Sequence, residues 1–184
     1  MTSPGFMRSP WFKWGLLAVI QLLLISLPLA NRLTVQMTGT EVTLAIRPVD
    51  PRDLLRGDYV IINLAITRLP SEIAATLEDP VSGETIYLEL VPDDKGIAQP
   101  TRLARNRADL GALAIEGRVT STGSASLTID YGIDAFYLAE GTGKVIETLD
   151  TARVHLVAAL APDGQSLPLR LLVDGKPFKS DAAF

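Results

Sequence analysis

Apolar and polar residues alternate with a period of two along most of the chain after residue 33. The alternation is clearest in TEVTLAIR (40–47), YVIINLAI (59–66), TIYLELV (85–91), SLTIDY (126–131), TARVHLVAAL (151–160) and LRLLV (169–173). Because successive side chains of a strand point to opposite faces, this pattern predicts strands with one buried and one wet face. Turn-forming stretches such as DPVSG, PDDKG and PDGQ separate the runs. We therefore expect a mainly β fold, an antiparallel sandwich or barrel-like domain, with one or two short helices around 102–113 and 140–149.

The N-terminal part of the chain follows a different pattern, an apolar run without charge from Trp14 to Ala30. As a helix, these residues would be roughly 25 Å long, close to the ~30 Å hydrocarbon core of a bilayer. Trp11 and Phe12 can lie at one interface, where Lys13 can extend its amine to water. The segment Trp11–Ala30 therefore predicts a helix that contacts the lipid bilayer.

Basic residues flank the charge-free run unevenly, with Arg8 and Lys13 before it and Arg32 after it. This favours an N-terminus inside the cell and a C-terminus outside. A cleaved signal peptide and a buried helix are the alternatives, although PLA puts Pro28 where cleavage needs a small residue. Pro28 also lacks a backbone donor, so the helix is predicted to end or kink there. The expected division is a cytoplasmic stub and single-pass anchor (1–31) followed by an extracytoplasmic domain (32–184) at a bacterial inner membrane.

Composition excludes several kinds of chemistry. The chain has a net charge of −4 and no cysteine, which argues against nucleic-acid binding and removes disulfides, thiolate nucleophiles and cysteine-based zinc sites. A single histidine, His155, lies beside Arg153 on a predicted strand and cannot build a histidine metal site alone. No nucleophile elbow, phosphate loop or dinucleotide fingerprint is present. We therefore expect no cofactor and no resident metal. The composition and the lack of these motifs favour a non-enzymatic role.

Charge and backbone restriction are concentrated in RPVDPRDLLRGDYVIINLAI (47–66). Pro48 and Pro51 restrict their own φ and favour extended geometry in the residues before them. Three aspartates interleave with three arginines in this stretch: Asp50, Asp53 and Asp58 with Arg47, Arg52 and Arg56. Such a stretch forms a salt-bridged turn, a docking surface, or a metal or catalytic site, and these three interpretations remain open.

The same stretch resembles the signature of the GDYXXLXY family of bacterial membrane-anchored proteins. Gly57, Asp58 and Tyr59 match its first three positions, whereas Ile62 and Leu64 stand where the pattern has Leu and Tyr. A second block, YGIDAFYLAEGTGKVIE (131–147), is similar to a later stretch of that family. The resemblance implies an inner-membrane anchor, an external β-rich domain and association with polytopic membrane proteins, but no activity.

Three functional hypotheses follow. The first is an accessory protein that docks a polytopic membrane protein. Its predicted contact residues are Arg52, Asp53, Arg56, Gly57, Asp58, Tyr59, Tyr131, Tyr137, Glu140 and Gly141. The second is a β-domain that binds a small ligand or metal ion through Asp50, Asp58 and Glu140. The third is a signal-peptidase-like hydrolase, suggested by LLRGDYVII, although no Ser lies just outside the helix in a matching motif.

Overall fold

A long helix, α1 (Pro10–Thr38), precedes the strands in the computed structural model, which describes residues 10–47, 59–61, 63–123, 126–133, 135–137 and 149–178. The helix does not end at Pro28, and it continues past the predicted boundary at residue 31. One proline removes a single donor, whereas the neighbouring turns retain theirs, so an apolar helix can tolerate it. This helix is long and apolar enough to cross a membrane, and no residue of its most apolar stretch is buried in the structure.

The rest of the chain is mainly β, as the alternation predicts. The strands are β1 (Thr40–Arg47), β2 (Tyr59–Ile61), β3 (Asn63–Leu64), β4 (Arg68–Pro70), β5 (Thr85–Pro92), β6 (Ala98–Ala104), β7 (Ala114–Thr122), β8 (Ser126–Asp130), β9 (Ala135–Tyr137), β10 (Val154–Leu160), β11 (Ser166–Val173) and β12 (Lys176–Pro177). Among the described residues, the short helical elements are α2 (Ser71–Ala74) and three 3-10 turns at Ala65–Thr67, Arg107–Asp109 and Thr151–Arg153.

These strands form two five-stranded antiparallel sheets and one two-stranded ladder. The first sheet has the order β12-β11-β10-β1-β3, and the second has the order β4-β8-β7-β5-β6. The ladder pairs β2 with β9. Side chains from both sheets meet in one apolar core, and its most deeply buried members include Leu44, Leu156, Leu171, Ile86, Ile115 and Ile129. The two sheets therefore enclose a shared core in the manner of a sandwich.

Two local predictions are wrong. The run 59–66, predicted as one strand, is divided into β2, β3 and the 3-10 turn Ala65–Thr67. The division arises because β2 pairs with β9 whereas β3 pairs with β1, so the chain changes partner between them. Residues 102–113 are not a helix but the end of β6, one 3-10 turn and a loop. Nearly all of the other predicted helix, 140–148, lies outside the described residues.

The loop after β6 is held by side chains rather than by helical hydrogen bonds. The side-chain Oδ1 of Asn106 accepts a hydrogen bond from the Ala108 backbone amide at 3.1 Å. The Arg107 guanidinium donates to the carbonyl oxygens of Gly111 and Ala112, each at 2.8 Å. These bonds satisfy backbone groups that a helix would otherwise have paired.

The last turns of α1 pack on the outer face of the first sheet. Val35 is buried against Ala159 and Ala161, with Leu167 and Leu169 beside them. The strand β10 is consequently covered on both faces, by the core on one side and by the helix on the other. Helix and domain are thus joined by packing as well as by the chain.

Gly39 makes this close junction possible. Its amide donates to the Val35 carbonyl oxygen at 2.9 Å. A Cβ atom at this position would lie 2.5 Å from that oxygen and 3.0 Å from the Ala159 Cβ. A single residue therefore separates the end of α1 from the start of β1, and no side chain fits there without movement.

An ion pair crosses the outer face of the same sheet. Arg170 on β11 donates to both carboxylate oxygens of Glu41 on β1, at 3.0 and 2.5 Å. Since β10 lies between these two strands, the pair passes over its residues Val157 and Ala159, which are buried. The pair joins two strands that are not neighbours.

Candidate functional site

The ladder of β2 and β9 brings the two motif-bearing blocks of the sequence together. Tyr59 pairs with Tyr137, and Ile61 pairs with Ala135, in antiparallel register. Tyr59 belongs to the Gly-Asp-Tyr motif, and Tyr137 belongs to the later block. Segments far apart in the chain therefore lie side by side.

The antiparallel register also decides which parts of the blocks leave from the same end of the ladder. The chain reaches Tyr59 from residue 58 and leaves Tyr137 towards residue 138. The charged stretch before β2 and the segment after β9, which contains Glu140 and Gly141, are therefore joined to the same end of the ladder. Of the predicted contact residues, seven lie outside the described residues: Arg52, Asp53, Arg56, Gly57, Asp58, Glu140 and Gly141.

Tyr131, which begins the later block, is placed in the core rather than at the surface. Only 9% of the residue is exposed. Its hydroxyl donates to the carbonyl oxygen of Ile66 at 3.0 Å. Burial raises the pKa of Tyr131 well above its ordinary 10.0, so the phenol stays protonated and keeps its donor. This residue offers no surface for a partner, but it ties the later block to the segment that follows β3.

Gly117 on β7 provides the space for the Tyr131 ring. A Cβ atom at Gly117 would lie 2.4 Å from the Ile129 Cγ2 and 2.8 Å from the Tyr131 Cδ1. Gly117 lies outside both motif-bearing blocks and is not among the predicted site residues. The sequence does contain a signal for it: Gly117 stands between Ile115 and Val119 on the inward face of a strand. A glycine at such a position indicates that another group approaches the backbone closely.

The start of the charged stretch is held close to the ladder by β1. Arg47, the last residue of β1, pairs with Asn63, and Ile46 pairs with Leu64. The stretch 48–58 thus begins beside β3 and ends at β2. The stretch starts at the end of β1 that is farther from α1. The eight residues of β1 place this end roughly 23 Å along the strand from Thr40.

Other charged groups hold the scaffold together. Arg153 donates two hydrogen bonds to the carboxylate of Asp174, so the 3-10 turn before β10 is fixed to the turn after β11.

His155 lies on β10 and is partly buried. Among the residues that the structure describes, no group of three or more His, Asp or Glu is placed to hold a metal ion. The ion-binding candidates Asp50, Asp58 and Glu140 lie outside those residues.

Together, the fold and the site define a β-sandwich protein with a long N-terminal apolar helix. Two segments that are distant in the sequence pair in it as the ladder of β2 and β9. The model of the GDYXXLXY protein family matches residues 21–171, so the chain belongs to this family. The matched residues include the second half of the charge-free run of α1, the Gly-Asp-Tyr motif and the later block (131–147). No curated protein and no solved structure matches the chain.

Proposed function

We propose that this protein is a membrane-anchored, extracytoplasmic accessory protein that docks a polytopic membrane protein. In this role α1 spans the bacterial inner membrane and the β-domain lies outside the cytoplasm. The support for the anchor is that α1 is long, apolar and exposed along its most apolar stretch. An exposed apolar surface of this size needs lipid or protein around it. The uneven basic residues around the helix support the proposed orientation.

The observation that carries the docking role is the pairing of Tyr59 with Tyr137. This pairing joins two segments to one end of the ladder of β2 and β9. One is the charged, proline-restricted stretch before β2, and the other is the segment after β9 that contains Glu140 and Gly141. A proline-restricted stretch loses less conformational entropy when it binds, so the stretch before β2 suits recognition of a protein surface. Interleaved arginine and aspartate side chains supply charges of both signs, which favour one partner over others.

The position of this site limits which part of a partner protein can contact it. The charged stretch begins at the opposite end of β1 from α1, roughly 23 Å along the strand. A polytopic partner would therefore contact the site through an extracytoplasmic loop or domain.

The test is co-purification of the tagged full-length protein from its native membranes in mild detergent. We expect a stoichiometric membrane-protein partner whose recovery falls about tenfold with Asp58→Ala or Arg56→Ala, as for loss of an interfacial charge pair. Asp94→Ala and Arg118→Ala are matched controls, because both side chains are exposed elsewhere on the β-domain. Full recovery with both test variants, in folded protein, would show that this stretch does not bind the partner.

A further inference from the structure

Two apolar side chains of α1 remain exposed beyond the charge-free run. Leu33 is 48% exposed and Met37 is 83% exposed. Each lies two residues from Val35, which corresponds to ~200° around the helix. Leu33 and Met37 therefore lie on the side of α1 opposite to the β-domain, because Val35 is the residue that packs on the sheet.

The length of α1 indicates what surrounds these side chains. If Trp14 lies at the inner boundary of the hydrocarbon core, Leu33 is roughly 29 Å and Met37 roughly 35 Å along the helix. The core is ~30 Å thick, and the headgroup layers extend the bilayer to about 40–45 Å. Leu33 thus falls at the outer boundary of the core, and Met37 falls within the outer headgroup layer.

We propose that Leu33 and Met37 insert into the outer headgroup layer and seat the β-domain directly on the bilayer surface. This inference rests on the membrane anchor of the proposed function. The Val35 contact and the single-residue junction at Gly39 hold the first sheet next to this part of the helix. Only Gly39 separates the domain from the anchor, so the packing on Val35 holds the first sheet in one orientation relative to α1.

The absence of cysteine allows a direct test by single-cysteine labelling of the full chain. The variants Leu33→Cys, Met37→Cys, Ile25→Cys and Val81→Cys are labelled with an environment-sensitive fluorophore and reconstituted into phosphatidylcholine vesicles. The vesicles carry a spin-label quencher either on the headgroup or deep in the acyl chain. Ile25 reports the anchor, and Val81, which is 64% exposed on the β-domain, is the water control.

We expect the labels at residues 33 and 37 to be quenched about twofold more strongly by the headgroup quencher than by the deep one. The label at residue 25 should show the reverse order, and the label at residue 81 should be quenched by neither. If 33 and 37 behave like 81 while 25 is quenched by the deep label, the seating is wrong and the anchor stands. If 25 also escapes quenching, the anchor itself is wrong.

A shift of the emission at 33 and 37 without quenching by either lipid label would also contradict the proposal. That result would mean that a protein surface, either a second copy or a partner helix, covers this side of α1. Cross-linking between two Met37→Cys chains would then distinguish the second copy from the partner helix. Circular dichroism of each labelled variant confirms that the fold is intact.

Discussion

The hydroxyl of Tyr131 lies in an apolar region, where its hydrogen bond to the Ile66 carbonyl oxygen is difficult to replace. We expect Tyr131→Phe to lower the free energy of unfolding by about 1–2 kcal/mol, because the buried carbonyl loses its donor. Urea denaturation measures this as a lower midpoint with an unchanged slope. Tyr87→Phe is the matched control, since the Tyr87 hydroxyl donates to Glu116 at 3.2 Å on the half-buried outer face. Equal losses in the two variants would contradict the structural role given to Tyr131.

A second prediction at the residue scale concerns the space beneath this ring. Gly117→Ala would place a methyl group 2.4 Å from the Ile129 Cγ2, so Ile129 or the Tyr131 ring must move. We expect a loss of about 1–3 kcal/mol in the free energy of unfolding, as for other overpacked cores. Thr122→Ala, on the exposed end of the same strand, should cost much less. A neutral or stabilising Gly117→Ala would mean that the ring does not lie where the structure has it.

At the scale of elements, the alternation identified strands but did not identify their partners. β1 has the predicted bounds, and β5 has the predicted inward residues, because both have an uninterrupted apolar face. β7, the central strand of the second sheet, was missed, since Gly117 interrupts its apolar face. β6 was missed because it is an edge strand whose sequence, AQPTRLA, does not alternate apolar and polar residues and includes Pro100.

The candidate site was only partly predictable for the same physical reason. Both blocks could be found in the sequence, whereas the stiffness predicted for the stretch before Gly57 stays a prediction, because that stretch lies outside the described residues. The pairing of Tyr59 with Tyr137 could not be predicted, because the alternation of each strand is compatible with many registers and many neighbours. Tyr131 was placed with the contact residues, although its side chain is buried and works from inside the domain.

The ion pair between β1 and β11 leads to a pH prediction. The hydrogen bond from Arg170 holds the pKa of Glu41 below its ordinary 4.5. A carboxylate whose pKa is lower in the folded state stabilises the fold above the unfolded pKa, and this contribution disappears as the pH falls through the folded pKa. We therefore expect wild type to be more stable than Glu41→Gln near neutral pH, with the difference shrinking once the pH falls below 4.5.

The measurement is the urea midpoint of both chains across this pH range at low salt. Glu41 is exposed, so the difference should be small and should decrease in high salt. Glu72→Gln, on the exposed surface of α2, is the matched control. A difference that persists unchanged in acid would mean that Glu41 acts through packing rather than through its charge.

At the scale of the whole molecule, the contact of Val35 with the first sheet decides whether anchor and domain move as one body. We expect Val35→Ala to lower the unfolding free energy of the full-length protein in detergent by about 1–2 kcal/mol, because two buried methyl groups are lost. Gln36→Ala, one residue along on the exposed surface, should have little effect. If Val35→Ala changes nothing, α1 is connected to the domain by the chain alone.

The order of strands in the first sheet also has a consequence for biosynthesis. β1 leaves the ribosome early, but its neighbour β10 begins at Val154 and must be made before the two can pair. Until then, β1 exposes backbone donors and acceptors along the edge that β10 will cover, which makes the nascent chain vulnerable to aggregation and proteolysis. The domain therefore reaches its stable form only after nearly the whole chain has been synthesised, and a chain that stops before β11 lacks a strand of this sheet. This order of events delays folding of the first sheet until β10 and β11 have been synthesised.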